Sequence, residues 1–426
     1  MNAGFAAAGA VDTALASPAP DLAGRRIVVY GMNYAPELAG VGRYTGEIGE
    51  YLASVGGDVT VVTAAPHYPG WRVQDGYRNA YNATMQDGAR VIRTPLLLPK
   101  KTMGGIWRLI APLSFAASSA PVVFWQILRQ RPEVVFCVEP TLFAAPVAQL
   151  AAKLVGARTV LHVQDLEVDA AFAVGHLGNA SWLKRLGFGF EKFSLNRFDR
   201  VITISNRMME RLAGKGVAQR QLCILRNWVD VDHIRPLDGS SPYRTELGYQ
   251  PDDFIVLYSG NVGAKQGLNV LLDAAEQLTD LPRIKFIVAG EGPAKEALQK
   301  RYGHLASLRF LPFQPYARFN EFLNLADLHA LPQEKDAADL VLPSKLGGML
   351  ASGKPIVVTA EPGTELADFL GSGGVITPPG DATALAAEIR RVSAGGFSGD
   401  PSLRAALART LSNQDALKEL VRLLGM

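Results

Sequence analysis

Four short stretches combine glycine with charge where a strand should hand over to a helix. The first runs Pro36-Glu37-Leu38-Ala39-Gly40-Val41-Gly42-Arg43-Tyr44. Gly40 and Gly42 let backbone N–H groups approach a ligand, and the helix start beyond them attracts negative charge. Such a terminus contributes about 0.3–1 kcal/mol on an exposed surface and up to ~2 kcal/mol when partly buried, too little to hold a diphosphate alone. A tight strand–helix turn is the competing reading. The second stretch, Ser259 to Gly267, reads S-G-N-V-G-A-K-Q-G. Gly260 and its small neighbours leave room for phosphate oxygens beside Asn261, and Lys265 supplies a point charge, unless it is a plain surface lysine. A hydrogen bond to a charged partner contributes about 1.5–3 kcal/mol. In the third, Val288 to Pro293, Gly290 and Gly292 permit close approach to a flat base or a phosphate, though a simple turn needs the same residues. The fourth, Leu342-Pro343-Ser344-Lys345-Leu346, opens a helical run to Ser352, so Ser344 and Lys345 form a further anion-binding device. Three such devices in the second half of the chain imply that this half binds a nucleotide diphosphate.

Acid–base candidates fall in the first half. Glu139 and Asp165 close strand-like runs at strand ends that face the expected cleft, or else serve as a cap or ion pair. His67 and His162 are weaker, because His162 lies inside the strand Thr159–Val163, where a satisfied core histidine is expected. The pair Asp230 and Asp232 has the chemistry to hold Mg²⁺, but it lies away from the donor loops and reads as structural. No Cys/His cluster has zinc-ligand spacing.

Alternating strand and helix patterns position these groups. Arg26–Tyr30, Val59–Thr63, Val134–Val138, Thr159–Val163 and Val201–Ile204 form one set of apolar runs. Phe254–Tyr258, Lys285–Ala289, Leu308–Leu311, Leu328–Leu331 and Pro355–Thr359 form a second. Continuous apolar runs of this length suit buried parallel strands, and their alternation with helices predicts parallel sheets covered on both faces. The fold class is therefore α/β, with two doubly wound Rossmann-like domains facing a cleft at the carboxyl ends of their strands. The expected division is a flexible tail at 1–24, an N-terminal Rossmann-like domain at 25–236, a linker at 237–250, a C-terminal Rossmann-like nucleotide-binding domain at 251–400 and a helical segment at 401–426. Within the last, Leu417, Leu420, Val421 and Leu424 have helical spacing.

At 426 residues the chain exceeds a single hydrophobic core, and 48% apolar against 19% charged residues excludes a disordered chain. Forty-three basic against 40 acidic residues give a formal charge of +3, which gives no support to nucleic-acid binding. Cys137 and Cys223 sit in separate apolar runs and read as buried thiols of a reducing compartment. The first 24 residues lack a basic n-region and a sustained apolar core, so no secretion signal is expected and a cytoplasmic location follows. The stretch Leu109–Leu128 has no charged residue and is long enough to span a bilayer, but Pro112, Pro121 and three serines weaken that reading. Buried helices remain open. The preferred reading is peripheral membrane contact, flanked by Lys100, Lys101, Arg108, Arg129 and Arg131.

From Arg25 to the end, the chain resembles the family 4 retaining glycosyltransferases of GT-B fold, in the WcaI-like branch associated with colanic acid and other exopolysaccharides. The matching pieces are Y-A-P-E-L-A-G-V-G-R-Y-T-G-E from Tyr34, A-P-H-Y-P from Ala65, Q-D-L from Gln164 and N-W-V-D from Asn227, with S-G-N-V-G-A-K-Q-G, G-E-G-P and P-S-K-L in the second half. The resemblance implies a nucleotide diphosphate sugar donor and a polyprenyl-diphosphate-linked oligosaccharide acceptor. It also implies retention of configuration, no bound metal and no further cofactor, at the inner face of the cytoplasmic membrane. Departures accompany it. Two glutamates of the wider family fall at Leu340 and Gly348, with Asp339 or Glu334 as conceivable substitutes; a common arginine falls at Asn261, leaving Lys265 and Lys345 to carry the phosphate charge; a common histidine falls at Val138, beside Glu139. A nucleotide-sugar epimerase of the same shape and a non-catalytic nucleotide-sugar-binding homologue are the alternatives.

Overall fold

The computed structural model describes residues 20–37, 40–98, 107–140, 142–166, 181–334 and 342–426. Two sheets organise them. The N-terminal sheet contains β1 (Arg26–Tyr30), β2 (Asp58–Ala64), β3 (Asn82–Gln86), β4 (Ala89–Thr94), β5 (Val134–Glu139), β6 (Arg158–Val163), β7 (Arg200–Thr203) and β8 (Leu222–Ile224), in the spatial order β3-β4-β2-β1-β5-β6-β7-β8. The C-terminal sheet contains β9 (Phe254–Ser259), β10 (Ile284–Ala289), β11 (Leu308–Leu311), β12 (Leu328–Leu331), β13 (Ile356–Thr359) and β14 (Val375–Thr377), ordered β11-β10-β9-β12-β13-β14. Ile27, Val28 and Val29 are all fully buried, so both faces of β1 are covered, as the unbroken apolar run requires.

The expectation of purely parallel sheets is corrected at one edge: β3 pairs antiparallel with β4. Asp87 and Gly88, both at positive φ, make the two-residue turn between them. Asp-Gly is the pair such hairpins favour, and β8 and β14 are further strands absent from the expected sets.

Helix α1 (Val41–Ser54) carries glycines at 42, 46 and 49. A side chain at Gly42 would strike the Glu37 carboxylate, at Gly46 the Ala35 methyl and at Gly49 the Tyr34 hydroxyl. This glycine face lets the helix lie directly on the loop that follows β1. Helix α2 (Trp107–Gln130) covers the same sheet through Ala111, Phe115, Ser119, Val123 and Ile127, a buried stripe of four-residue period. Pro112 and Pro121 lie inside this continuous helix. By length and composition it could cross a membrane, yet its inner face belongs to the N-terminal core. Helices α3 (Ala145–Val155), α4 (Ser181–Leu195) and α5 (Asn206–Gly214) follow in the same domain; α6 (Leu268–Glu276), α7 (Lys345–Ala351) and α8 (Glu365–Leu370) belong to the second.

The chain passes between domains at Trp228 and Val229. Trp228 belongs to the core around β1 and α1, whereas Val229 belongs to the core of the C-terminal domain. The crossing thus lies before the expected boundary at 236, and the expected linker contains a short helix, Pro242–Glu246. The segment after 400 divides in two. Helix α9 (Pro401–Thr410) packs on the C-terminal core through Ala408, while α10 (Asn413–Leu424) returns to the N-terminal core through Leu417, Leu420, Val421 and Leu424. The two crossings bond to each other: Val229 N–H donates to the Leu411 carbonyl at 2.8 Å, and Asn413 N–H to the Val229 carbonyl at 2.9 Å.

Trp228 also donates its indole N–H to Glu47 at 2.5 Å and meets Tyr44 edge-on at 5.2 Å. Truncating a buried tryptophan typically costs about 3–5 kcal/mol. Trp228→Ala should destabilise the N-terminal domain by that amount, read as a lowered midpoint in urea unfolding followed by circular dichroism.

Candidate active site

The carboxyl ends of both sheets face one cleft. On the N-terminal side, Gly40 (φ 66°) stands at the N-cap of α1 and provides no side-chain cap. Val41 is partly buried and packs on the core. Arg43 is committed to Glu47 at 2.7 Å, within one helical turn. Tyr68 leans on Gly40, where an added Cβ would lie 3.1 Å from its ring. Burial first, then the charges of Glu37 and Asp165, raise the Tyr68 pKa, which puts all three groups in one neighbourhood.

Asp165 is exposed just beyond β6, its Oδ1 accepting from the Leu166 N–H at 2.9 Å. Glu139 ends β5 in register with Val163, and is 1% exposed, a carboxylate within the domain rather than on the cleft surface. His162 is buried in β6 with the Gln164 amide against its ring, and burial lowers its pKa to about 4. It is a core histidine. His67 is buried too, its Nδ1 2.9 Å from the Ala65 carbonyl. Val138, at the position of the family histidine, packs against Gly31.

On the C-terminal side, the loops after β9 and β10 interlock. Gly260 N–H donates to Ala289 and Val262 N–H to Glu291, each at 2.9 Å. Gly290, at φ 145°, is obligatory, because a Cβ there would sit 1.8 Å from the Gly260 carbonyl oxygen. Gly292 abuts the Val262 carbonyl and the Asn261 side chain in the same way. Lys265 stands exposed on a single 3-10 turn, Ala264–Gln266. Lys345 is the enclosed cation. Its Nζ donates to the Tyr258 hydroxyl at 2.7 Å and to Gln266 Oε1 at 2.8 Å, and lies 4.3 Å from the centre of the Tyr258 ring. It also borders Gly260, whose added Cβ would be 3.0 Å from Nζ. Desolvation lowers its pKa to about 7. The two lysines thus flank Gln266 at the end of β9, but it is Lys345, expected to be the helper, that the fold encloses.

Two site expectations are corrected. Leu346 is fully buried in the C-terminal core, turned there by helical periodicity with Met349 and Leu350, so its side chain cannot meet a ligand. Helix α7 has only seven residues and Ser344 provides no side-chain cap, so the cation there is Lys345 itself, not a strong helix terminus. Pro343 is partly exposed beside Ser344. Gly348 faces Leu323 in the core. Leu340 and Asp339 lie outside the described residues; Glu334 adjoins the donor loop, its N–H donating to the Lys265 carbonyl at 3.3 Å. Asp230 caps the N–H groups of Asp232 and His233, and Asp232 accepts from Gln414, so the aspartate pair is structural. Among the described residues no group of three His, Cys, Asp or Glu side chains could hold a metal ion. Cys137 is buried, its pKa raised to about 12 by desolvation, while Cys223 is partly exposed.

Cross-domain contacts join the walls. The Tyr44 hydroxyl, one residue beyond Arg43, approaches Ser344, which lowers a pKa that burial raises, although the pair falls short of full hydrogen-bond geometry. Farther along, Glu365 of α8 accepts Arg226 at 3.0 Å and the N–H groups of Asn206 and Arg207 at 3.3 Å. Sequence reasoning missed Glu37, Tyr68, Tyr258 and Gln266, although Glu37, Tyr68 and Gln266 lay inside quoted motifs.

Residues 39–228 match the glycosyl transferase 4-like domain and residues 241–409 the glycosyl transferases group 1 domain. The chain is 41% identical over 381 residues to the Escherichia coli K12 protein WcaI, assigned by name to colanic acid biosynthesis as a glycosyl transferase, covering 86% of this chain and 91% of that protein. Among solved structures, sucrose-phosphate synthase from Thermosynechococcus elongatus superposes with a TM-score of 0.71 at 16% identity, over 94% of this chain and 98% of that one. HepE from Anabaena, in complex with UDP and glucose, gives 0.64 at 17% identity over 93% and 98%. These last two likenesses concern the fold.

An anion bound at Lys345 would be held in a pH-dependent way. The empty site disfavours its ammonium, holding the pKa at about 7, and a bound polyanion favours it, so binding draws in a proton above that pH. Affinity for inorganic pyrophosphate should therefore fall as pH rises from 7 to 9. Calorimetry at pH 8 in buffers of different ionisation enthalpy should record uptake of up to about one proton, abolished in Lys345→Met.

Proposed function

The chain belongs to the family 4 glycosyltransferases of GT-B fold, and on that premise we propose that it moves a sugar from a nucleotide diphosphate donor to a lipid-linked oligosaccharide. The pathway is exopolysaccharide assembly of the colanic acid type, the donor being GDP-fucose or a UDP-hexose. Transfer retains anomeric configuration and uses no bound metal or other cofactor. One observation carries the reading: the Lys345 ammonium is enclosed under the Gly260 turn, and its neighbour Ser344 is approached by Tyr44 of α1. WcaI supports the pathway by its name, and HepE supports a nucleotide-sugar site by the UDP and glucose it holds.

Each wall has its own chemistry. The departing diphosphate gathers charge on the C-terminal side, where Lys345, Lys265 and the backbone N–H groups of the interlocked loops stabilise it by fixed positive groups. Asn261 and the turns at Gly290 and Gly292 leave the room that a nucleotide needs. The acceptor hydroxyl enters from the N-terminal side, and its proton passes to an oxygen of the leaving phosphate. Asp165 and Tyr68 orient that hydroxyl, and Glu139 lies behind them at the end of β5.

Membrane contact fits the outer face of the N-terminal domain. Leu113, Ala117, Pro121 and Trp125 form an exposed stripe on α2, and Leu150 and Leu154 are exposed on the adjoining α3. Trp125 and Leu154 are 61% and 62% exposed, with Arg129, Arg131 and Lys153 exposed nearby in sequence. Apolar side chains beside basic ones suit the anionic inner face of a bilayer, and a protein held there meets a lipid-linked acceptor. Of the flanking residues expected from sequence, Lys100 and Lys101 lie outside the described residues, as does the side chain of Arg108.

A panel of radiolabelled nucleotide sugars, offered with membranes bearing lipid-linked oligosaccharide, should label the lipid fraction from one donor. Lys345→Ala should lower kcat/KM about 10²–10³-fold, the usual effect of removing one preorganised donor. Intact nucleotide binding with no label transferred would instead favour the non-catalytic homologue, and unchanged turnover in the variant would remove the assignment. In a separate flotation assay, Trp125→Ser with Leu154→Ser should weaken binding to phosphatidylglycerol vesicles at least tenfold while leaving nucleotide binding intact.

A further inference from the structure

The N-terminal wall contains a buried network that the proposed transfer does not yet use. Glu37 is 2% exposed, with a side chain closed to solvent. Its Oε1 accepts the backbone N–H groups of His67 at 2.8 Å and Tyr68 at 3.0 Å, and its Oε2 accepts the Asn33 amide at 2.9 Å. Oε2 also lies against Gly42, where an added Cβ would come within 2.3 Å. One carboxylate therefore joins three separate pieces of chain: the loop after β1, the glycine face of α1 and the turn after β2. Residues 37 and 67 are 30 apart in sequence, so no local secondary structure would hold them together.

A carboxylate suits this junction. It presents only acceptors, and every group facing it is a donor. Two of those donors are buried backbone N–H groups that would otherwise lose their partner. The consequence falls on Tyr68. With its own N–H fixed by Glu37, its ring is set against Gly40 at the first turn of α1, and its phenol within electrostatic reach of Asp165. Trp71 supports it from behind, edge-on at 6.3 Å. Tyr68 remains partly exposed, whereas Glu37 and His67 are closed off.

We propose that Glu37 is a positioning residue: by clamping the His67–Tyr68 backbone to the glycine face of α1, it fixes the Tyr68 ring against Gly40 as a contact for an acceptor sugar hydroxyl. The inference rests on assigning the acceptor to the N-terminal wall. Glu37 itself touches no substrate. It acts through Tyr68, so the two residues form one unit in kinetics.

The test combines kinetics with a measurement that needs no acceptor. With detergent-extracted lipid-linked oligosaccharide as acceptor, Glu37→Ala and Tyr68→Ala should each raise the acceptor KM tenfold or more. UDP and GDP binding by calorimetry should stay within twofold of the unaltered enzyme. The double variant should be no worse than either single one, as residues of one unit are non-additive. Glu37→Gln keeps an oxygen for both backbone N–H groups and should recover most of the acceptor KM, which also guards against simple unfolding. Amide hydrogen exchange should speed up at least tenfold at 67 and 68 in Glu37→Ala, with β9 to β14 unchanged. Additive effects, an unaltered acceptor KM, or unchanged exchange at 67 and 68 would each overturn the inference. If the enzyme labels no lipid extract at all, the acceptor class is wrong, and the exchange result alone decides whether Glu37 clamps the turn.

Discussion

The paired crossings at Val229 and Ser412 set the geometry on which the site depends. Each is a single extended residue, and the two bond to each other as a short parallel bridge. A two-domain chain with one connection could rotate widely about it. Here α10 returns to the first core after α9 has packed on the second, so the N-terminal domain holds a helix from the opposite end of the chain. That double anchoring keeps the carboxyl ends of the two sheets opposed, which is where loops can converge on a ligand.

Trp228 carries this constraint into the site. It is one residue from the bridge, and it touches α1 at Tyr44 and Glu47. The same Tyr44 approaches Ser344 at the start of α7, and the next residue along is Lys345. Two side-chain contacts, Trp228 on Tyr44 and Tyr44 near Ser344, therefore run from the crossing to the neighbour of the enclosed cation. The N-W-V-D motif, read from sequence as part of a family pattern, has an architectural role in this light: its tryptophan fixes α1, its valine enters the other domain, and its aspartate caps the turn that follows.

The order of strands and the positions of the glycine turns were legible in the sequence, because buried parallel strands leave unbroken apolar runs and tight turns leave glycines. The β3–β4 hairpin was missed since β3 is almost wholly exposed and shows no apolar run; only Asp87-Gly88 announced it. Leu346 was misjudged by treating P-S-K-L as a unit of function, when helical periodicity turns its last member inward. Burial separated the two lysines, and nothing local in sequence distinguishes an enclosed Lys345 from an exposed Lys265. Glu37 was hidden for another reason. It stands inside a quoted motif, yet the backbone groups it clamps, at His67 and Tyr68, are 30 and 31 residues away, and no spacing rule reaches that far.

The two walls of the cleft differ in the sign of their charge, and the difference follows from what each sheet places at its strand ends. At its strand ends the first sheet exposes Asp165, keeps Glu37 and Glu139 buried, and commits Arg43 to Glu47. The second delivers Lys265 and Lys345, while its acidic Glu291 is neutralised by Lys295 at 2.7 Å. A diphosphate placed against the first wall would meet the exposed Asp165 carboxylate, so charge favours a donor with its phosphates toward β9 and leaves the first wall to hydroxyl groups. The low pKa of Lys345 sharpens that preference: its charge is least costly when an anion is beside it, so the empty site spends little on holding a cation that it needs only when occupied.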